Sequence, residues 1–373
     1  MNMDEIWTYK HSEPILALEL GDINGNSQIE IIATTKKGEL LIFSLDGNLL
    51  QKKIISDIQS LWYCNLLDID QDGQNEIIIG GLDGLLRAFK SSQSYELEII
   101  WKHKFGGSIS GFLFDDINGS GQQEIIAYSL DKTLRVLNSS DGTMIWGQIF
   151  EDGIGDAISW SDIEVPNHKE IIACGNDGTI RGFNNKNGEL QWFKRFPEKI
   201  RCISNFHSNK GQIVATGGDD KVLHLINARN QEEIKSIEFN DYIWKLRSFP
   251  HNKNEKLLVS TYSFAYFDSS ISLENTIFTS KLACFDDNLE VLWEINDINI
   301  ESLEVIELKD LIKILIGTTK GEIIIVDSIS GELMINLKKN SCANMVKFVL
   351  DQPSIFSCHD DGFLRAYVVD NLK

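Results

Sequence analysis

The chain has 373 residues and a net charge of −20, from 35 basic and 55 acidic side chains. Hydrophobic residues make up 42% of it, which is enough for a large buried core, and the acidic surface disfavours nucleic acid and anionic membranes as partners. No apolar run approaches the roughly 20 residues of a membrane-spanning helix, and the first residues lack the features of a secretory signal. We therefore expect a globular cytoplasmic protein without membrane insertion.

Six cysteines are widely spaced, and most of them lie inside apolar runs such as LWYCNLL and EIIACG. There is no CxxC pair and no Cys/His cluster in the sequence. We therefore expect buried, reduced thiols rather than a disulfide framework or a zinc site, in agreement with a cytoplasmic location.

A unit of two apolar runs joined by a short turn recurs eight times, starting at residues 30, 76, 124, 170, 212, 256, 313 and 354. The mean spacing is about 46 residues. A repeat of this length with strands in every copy predicts an all-β fold, a β-propeller of eight four-stranded blades. Seven blades are the alternative, in case one weak repeat is a misread loop.

Each repeat contains the signals of four strands. Asp-Gly pairs, as at 83–84, 177–178 and 361–362, separate the two apolar runs and favour tight hairpins. A strand precedes each hairpin, and a further strand follows it, often with a tryptophan, as at Trp101 and Trp146. No segment holds a helical period over three turns, so we predict no long helix.

The two ends of the chain complement each other. Few residues follow the strand at 363–369, too few for a fourth strand, while residues 5–10 (EIWTYK) form a strand-like segment without a repeat of their own. We therefore predict that the N-terminal strand completes the last blade and closes the ring, which protects sheet edges. Residues 1–373 would then form a single propeller domain.

Three connections that precede hairpins share a pattern of oxygen-bearing side chains at positions 1, 3, 5 and 9. The first loop has Asp22, Asn24, Asn26, Gln28 and Glu30, the middle loop has Asp68, Asp70, Asp72, Gln74 and Glu76, and the third loop has Asp116, Asn118, Ser120, Gln122 and Glu124. Calcium prefers six to eight hard oxygen ligands, and the main-chain carbonyl of the glutamine at position 7 adds one. The pattern therefore predicts structural Ca²⁺ sites in the first three blades.

The charge of the ligands ranks the three loops. The middle loop offers four carboxylates and each of the others offers two, so we expect the middle loop to bind Ca²⁺ most tightly. A fourth copy, residues 162–170, has Pro166 at position 5, and we expect no site there or a poor one. The alternative is that all of these are turns stabilised by Asp and Asn side chains without metal.

The DxDxDGxxE pattern of the middle loop, followed by an Ile-rich strand, resembles FG-GAP/VCBS-type propeller repeats, which occur in the head of integrin α-subunits. The resemblance implies Ca²⁺ loops, although the phenylalanine-glycine signature itself is absent. Segments such as Asp141-Gly142…Trp146 resemble PQQ-type propeller repeats, in which a tryptophan docks one blade on the next. Both resemblances are specific for the fold and say little about function.

The sixth repeat carries a hairpin insertion at residues 262–280 with five aromatic side chains and few charges. They are Tyr262, Phe264, Tyr266, Phe267 and Phe278. Exposed aromatic loops are frequent protein-binding sites, so we predict a partner contact here. The alternative is that the insertion extends its own hairpin over a neighbouring blade.

The sequence contains no phosphate-binding glycine loop, no HExxH and no GxSxG motif. We therefore predict a non-catalytic scaffold that binds protein partners, with its oligomeric state left open. One alternative is a protein or enzyme that binds carbohydrate or another small molecule at the mouth of the propeller channel. The other is an extracellular adhesion module that depends on Ca²⁺.

Overall fold

The structure is a computed structural model, and it describes residues 2–57, 59–162, 169–251, 254–264, 279–308, 311–350 and 352–370. Every regular element in these ranges is a β-strand. The strands form eight antiparallel sheets of four, and the chain divides into two compact units that hold four sheets each.

The first unit comprises residues 1–109, 140–142 and 300–373. Its first sheet contains β2 (Ile15–Gly21), β3 (Glu30–Thr35), β4 (Glu39–Ser44) and β5 (Leu49–Ile54), and its second contains β6 (Leu61–Leu67), β7 (Glu76–Gly81), β8 (Leu85–Ser91) and β9 (Leu97–Lys104). Its third sheet contains β26 (Ile300–Leu308), β27 (Leu311–Thr318), β28 (Glu322–Asp327) and β29 (Leu333–Lys338). Its last sheet contains β30 (Ala343–Val349), β31 (Ser354–His359), β32 (Phe363–Val369) and β1 (Met3–Lys10).

The second unit comprises residues 110–139 and 143–299. Two of its sheets contain β10 (Ile109–Asp115), β11 (Glu124–Ser129), β12 (Thr133–Leu137) and β13 (Met144–Ile149), followed by β14 (Ile154–Ser161), β15 (Lys169–Gly175), β16 (Thr179–Asn184) and β17 (Leu190–Arg195). The other two contain β18 (Ile200–Ser208), β19 (Gly211–Gly218), β20 (Val222–Asn227) and β21 (Glu233–Glu238), followed by β22 (Tyr242–His251), β23 (Asn254–Tyr262), β24 (Lys281–Phe285) and β25 (Val291–Asn296).

Eight antiparallel sheets of four strands, seven of them built from consecutive strands, define an eight-bladed β-propeller fold, and the prediction of eight rather than seven blades is confirmed. The last sheet departs from consecutive order because β1 pairs with β32, from Met3 opposite Val369 to Lys10 opposite Phe363. The predicted role of the N-terminal strand in completing the last blade is therefore also confirmed.

Burial explains why the repeats read as continuous apolar runs. The second and third strands of each sheet are covered on both faces, as in β3 and β4, where nearly every residue is buried. In each sheet, the strand that pairs with the third strand on the side away from the second lies at the edge; in the last sheet this strand is β1. Its side chains are alternately exposed and covered. We call these edge strands, β1, β5, β9, β13, β17, β21, β25 and β29, the fourth strands.

Tryptophans of the fourth strands pack against turns in neighbouring sheets. The indole Nε1 of Trp146 donates to the carbonyl of Asn185 at 2.8 Å, and its ring covers Gly188, whose φ is +71°. In the first unit, Trp7 donates to the carbonyl of Leu45 at 2.8 Å and covers Gly47 in the same way. Only a residue without a side chain leaves room for the ring and adopts this φ easily.

Candidate functional site

Hydrogen bonds organise the first loop from its two ends. The Asp22 carboxylate accepts the backbone N–H groups of Asn24, Gly25 and Ser27 at 2.6–3.1 Å. At the other end, the buried Glu30 carboxylate accepts the Ile23 N–H through Oε2 at 3.1 Å. Its Oε1 accepts the hydroxyl of Tyr95 at 3.1 Å. The carboxylates of this loop are therefore already engaged by donors of the protein.

The remaining side chains of the first loop form turns. Asn24 Oδ1 accepts the N–H of Asn26 at 3.2 Å, and Asn26 Oδ1 accepts the N–H of Gln28 at 2.7 Å. These are the Asx turns that the metal-free interpretation predicts.

The middle loop repeats this framework of hydrogen bonds. Asp68 accepts the N–H groups of Asp72 and Gly73 at 3.1 and 2.9 Å, and Glu76 Oε2 accepts the Ile69 N–H at 2.9 Å. Ligand oxygens of Asp68, Asp70 and Glu76 lie within 4.8 Å of one another, the one such group of three acidic, His or Cys side chains among the described residues.

Lys90, on strand β8, places its ammonium group against this cluster. Its Nζ lies 2.7 Å from Asp70 Oδ2, 2.8 Å from Asp72 Oδ2 and 3.4 Å from Glu76 Oε1, which has no hydrogen-bond partner. The bonds to Asp70 and Asp72 raise the pKa of Lys90, and the bond from Lys90 lowers the pKa of Asp72. The side-chain amide of Gln74 donates instead to the carbonyl oxygens of Ile23 and Ser91.

The third loop satisfies its glutamate from within. Asp116 accepts the N–H groups of Gly119, Ser120 and Gly121 at 2.8–3.0 Å. Glu124 Oε2 accepts the Ile117 N–H at 3.0 Å, and its Oε1 accepts the side-chain amide of Asn118. The hydroxyl of Ser120 lies 3.4 Å from the Gln122 carbonyl, which was the predicted position-7 ligand.

The three loops therefore share one framework, in which the position-1 aspartate accepts loop N–H groups and the position-9 glutamate is buried. Burial raises the pKa of Glu30, Glu76 and Glu124. The group nearest the second glutamate oxygen differs: it is the Tyr95 hydroxyl in the first loop, the Lys90 ammonium in the middle loop and the Asn118 amide in the third. Of the three loops, the middle loop suits a divalent cation best, because three of its carboxylates already surround a cation, the ammonium group of Lys90.

The fourth copy uses its end carboxylates for other contacts. Asp162 forms a bidentate pair with Arg229, at 2.5 and 2.8 Å, and Glu170 accepts the indole N–H of Trp192 at 2.8 Å. Glu164 and Pro166 lie outside the described residues.

In the described part of the hairpin insertion, the aromatic side chains of Tyr262 and Phe264 are packed against other residues. Tyr262 is only 2% exposed, so its side chain offers no surface to a partner. Phe264 packs against it with ring centroids 5.4 Å apart, and against Trp244 at 5.5 Å. Tyr266, Phe267 and Phe278 lie outside the described residues, and their partner contact stays a prediction.

Arg201 completes this aromatic cluster. Its guanidinium lies 5.2 Å from the Trp244 ring centroid and 5.8 Å from that of Phe264, and it forms a two-bond pair with Asp219. These contacts are favourable cation–π arrangements. Tyr262 and Phe264 therefore pack against Trp244 of their own sheet, and Phe264 also contacts Arg201 of the preceding sheet.

Asp156 is a candidate that the sequence analysis missed. Its carboxylate accepts the Tyr128 hydroxyl at 3.0 Å and the N–H groups of Ile203 and Ala157 at 3.2 and 2.9 Å. Desolvation by burial raises the pKa of Asp156 to about 6, which suits a group that exchanges protons near neutral pH. The signal in the sequence was a lone aspartate inside a strand, in GIGDAISW.

Comparison with known proteins supports the same class of fold. Residues 139–265, about a third of the chain, match the model of the lambda-carrageenase β-propeller domain. Among curated proteins there is no match. The predicted likeness to FG-GAP repeats stays a prediction.

Solved structures resemble the chain over nearly its whole length. They include Sqt1 from Saccharomyces cerevisiae, with a TM-score of 0.77, 10% identity and 100% of both chains covered. The computationally designed protein Ika8 has a TM-score of 0.71 at 13% identity, covering 98% of this chain and 99% of its own. BamB from Moraxella catarrhalis has a TM-score of 0.65 at 12% identity, covering 99% of this chain and 100% of its own. At these identities the likeness defines the fold.

Proposed function

We propose that this propeller is a non-catalytic scaffold that binds protein partners. The observation that carries the proposal is the character of the fourth strands. Thirteen of the 20 exposed large apolar side chains of the described residues lie on them, including Ile54, Ile149 and Phe193. Repeated apolar side chains on accessible sheet edges are suited to protein contacts.

Affinity purification of the tagged full-length chain from its native host, followed by mass spectrometry, tests this proposal. We expect a protein partner in stoichiometric amount that stays bound through size-exclusion chromatography. Recovery of the chain alone, even after mild crosslinking in cells, would contradict a scaffold function.

We further propose that the middle loop binds a structural Ca²⁺ ion. Asp68, Asp70 and Glu76 would hold the ion, which would stiffen the connection between β6 and β7. In this proposal Ca²⁺ competes with the ammonium group of Lys90, since both cations need the same carboxylate oxygens. The first and third loops are weaker candidates because uncharged donors already occupy their glutamates.

Isothermal titration with CaCl₂ at constant ionic strength tests the metal proposal. We expect one site, lost in Asp70→Asn and strengthened in Lys90→Met, which removes the competing charge. Asp116→Asn, in the third loop, is the matched control and should leave this site unchanged. Absence of heat at millimolar Ca²⁺ in both the wild type and Lys90→Met would contradict the proposal.

A cytoplasmic location is part of the same proposal. All six cysteines are unpaired and buried, as expected for thiols that pack as small apolar groups. Among the described residues no helix is long and apolar enough to cross a membrane. Fractionation of the native host, with detection of the untagged chain, tests the location.

A carbohydrate-binding or carbohydrate-cleaving function is the second candidate, because of the similarity of residues 139–265 to the lambda-carrageenase propeller domain. Asp156 lies within this segment, and its raised pKa suits a general acid. The test is release of reducing ends from lambda-carrageenan by the wild type and by Asp156→Asn. Activity that the variant loses would favour this candidate over the scaffold.

A further inference from the structure

The fourth strand β13 differs from the other seven because it has no charged side chain. Its sequence is MIWGQI, whereas every other fourth strand contains at least one Asp, Glu, Lys or Arg. Charges on edge strands discourage pairing with foreign strands. Strand β13 lacks this protection and exposes Met144, Ile145 and Ile149, which are 54%, 45% and 72% accessible.

The backbone of β13 presents free hydrogen-bonding groups at this edge. The N–H of Phe150 donates to the Lys132 carbonyl at 2.8 Å, and this bond shows which residues of β13 form hydrogen-bonded pairs with β12 and which do not. Since bonded pairs alternate in antiparallel sheets, Gly147 and Ile149 direct their backbone groups away from β12. The Ile149 carbonyl indeed accepts a bond from outside the sheet, from Arg181 at 3.0 Å.

Gly147 makes the same edge unusually accessible. It is exposed and sits in the middle of the strand, where a glycine weakens a sheet unless another backbone approaches closely. Its N–H and carbonyl, together with the N–H of Ile149, form three outward groups along two residues. This is the spacing that an added antiparallel or parallel strand requires.

Three pairs of opposite charge lie around the end of β13, where the Lys132 ammonium also donates to the Glu151 carbonyl at 2.9 Å. The pairs are Asp131–Arg135 at 3.0 Å, Asp177–Arg181 at 2.7 Å and Glu151–Arg195 at 3.3 Å. A charged side chain of an incoming strand would lose hydration here, and the six side chains of these pairs already have their counter-charges. The edge therefore selects an uncharged strand.

We propose that β13 is a strand-addition site, at which an extended, uncharged and apolar segment of a partner protein pairs as a fifth strand of its sheet. The proposal rests on the scaffold function and names one of its contact surfaces. A second copy of the chain is a poorer occupant, because two molecules of charge −20 repel each other.

The probe is a synthetic peptide, acetyl-Gln-Val-Thr-Val-Thr-Val-Gln-amide, carrying an uncharged dye, and binding is measured by fluorescence anisotropy. Ile149→Lys adds a charge to β13, and Ile54→Lys is the matched control on β5, where Ile54 is 61% exposed and Lys52 and Lys53 are already present. We expect the wild type and Ile54→Lys to bind equally and Ile149→Lys to bind at least tenfold more weakly. A peptide with Glu in place of Thr should also bind at least tenfold more weakly.

Equal binding by Ile149→Lys and Ile54→Lys would overturn the proposal, as would equal binding of the two peptides. A dimer in sedimentation velocity that Ile149→Lys dissociates would assign the edge to a second copy and overturn the choice of partner. Circular dichroism and thermal melting check that the variants fold, and Ile145→Lys is the substitute if Ile149→Lys does not. If the peptide fails to bind while the wild type still captures a native partner, the β13 site is wrong and the scaffold function stands.

Discussion

The contact between Trp146 and Gly188 gives the sharpest test of how neighbouring sheets are held together. A Cβ added at Gly188 would lie 2.5 Å from Cε3 and 2.6 Å from Cδ2 of the indole, and the residue sits at φ +71°. The left-handed conformation alone costs an alanine about 1–2 kcal/mol, and the overlap with a packed ring adds about 1–3 kcal/mol. We therefore expect Gly188→Ala to lower the free energy of unfolding by about 2–5 kcal/mol.

Gly119→Ala separates the two contributions. Gly119 has nearly the same φ, +76°, and nothing lies within 4 Å of its added Cβ, so only the backbone cost applies. Urea unfolding followed by circular dichroism should show Gly188→Ala to be less stable than Gly119→Ala by about 1–3 kcal/mol. In a Trp146→Ala background this difference should shrink, because the ring is gone. Equal effects of the two glycine substitutions would refute the packing argument.

Three further predictions concern charge and hydrogen bonding. In the presence of a chelator, Lys90→Met should lower the melting temperature, because three carboxylates lose their counter-ion. Added CaCl₂ should restore the melting temperature of this variant. A melting temperature that does not change with CaCl₂ would contradict the prediction. For His224, burial alone would lower the pKa, but the bonds to Asp220 and Glu233 raise it, so its protonated form stabilises the fold. Stability from this histidine is full below pH 6.5 and is lost as pH rises through the raised value, so His224→Asn should cost more at pH 6 than at pH 9 in urea unfolding. Trp7→Phe should cost about 1 kcal/mol of unfolding free energy by the same method, from the lost indole bond, and no loss would show that this bond contributes nothing.

The fold was readable from the sequence because its information is periodic. Eight apolar hairpins at a nearly constant spacing leave few architectures, and the unassigned strand at residues 5–10 had one obvious place, where β1 now pairs with β32. The predictions of eight blades and of the β1–β32 pairing depend on patterns of many residues, and no single side chain decides them.

The candidate sites were less predictable because they depend on side chains from other strands. The spacing of the middle loop indicated its carboxylates but gave no sign that Lys90, on β8, reaches them from outside the loop. The aromatic residues of the insertion read equally well as exposed or packed, and only the neighbours of Tyr262 decide that it is buried. Asp156 was missed for the same reason, since a lone aspartate in a strand does not reveal its partners Tyr128 and Ile203, which are distant in sequence.

The pairing of β1 with β32 has a consequence for biosynthesis. Residues 3–10 are synthesised long before residues 363–369, the strand with which they pair. Because loop closure over such a separation is entropically costly, this sheet should be the last to mature. Until then Trp7 and Tyr9 remain without their native cover, which makes this segment of the nascent chain a natural client for chaperones.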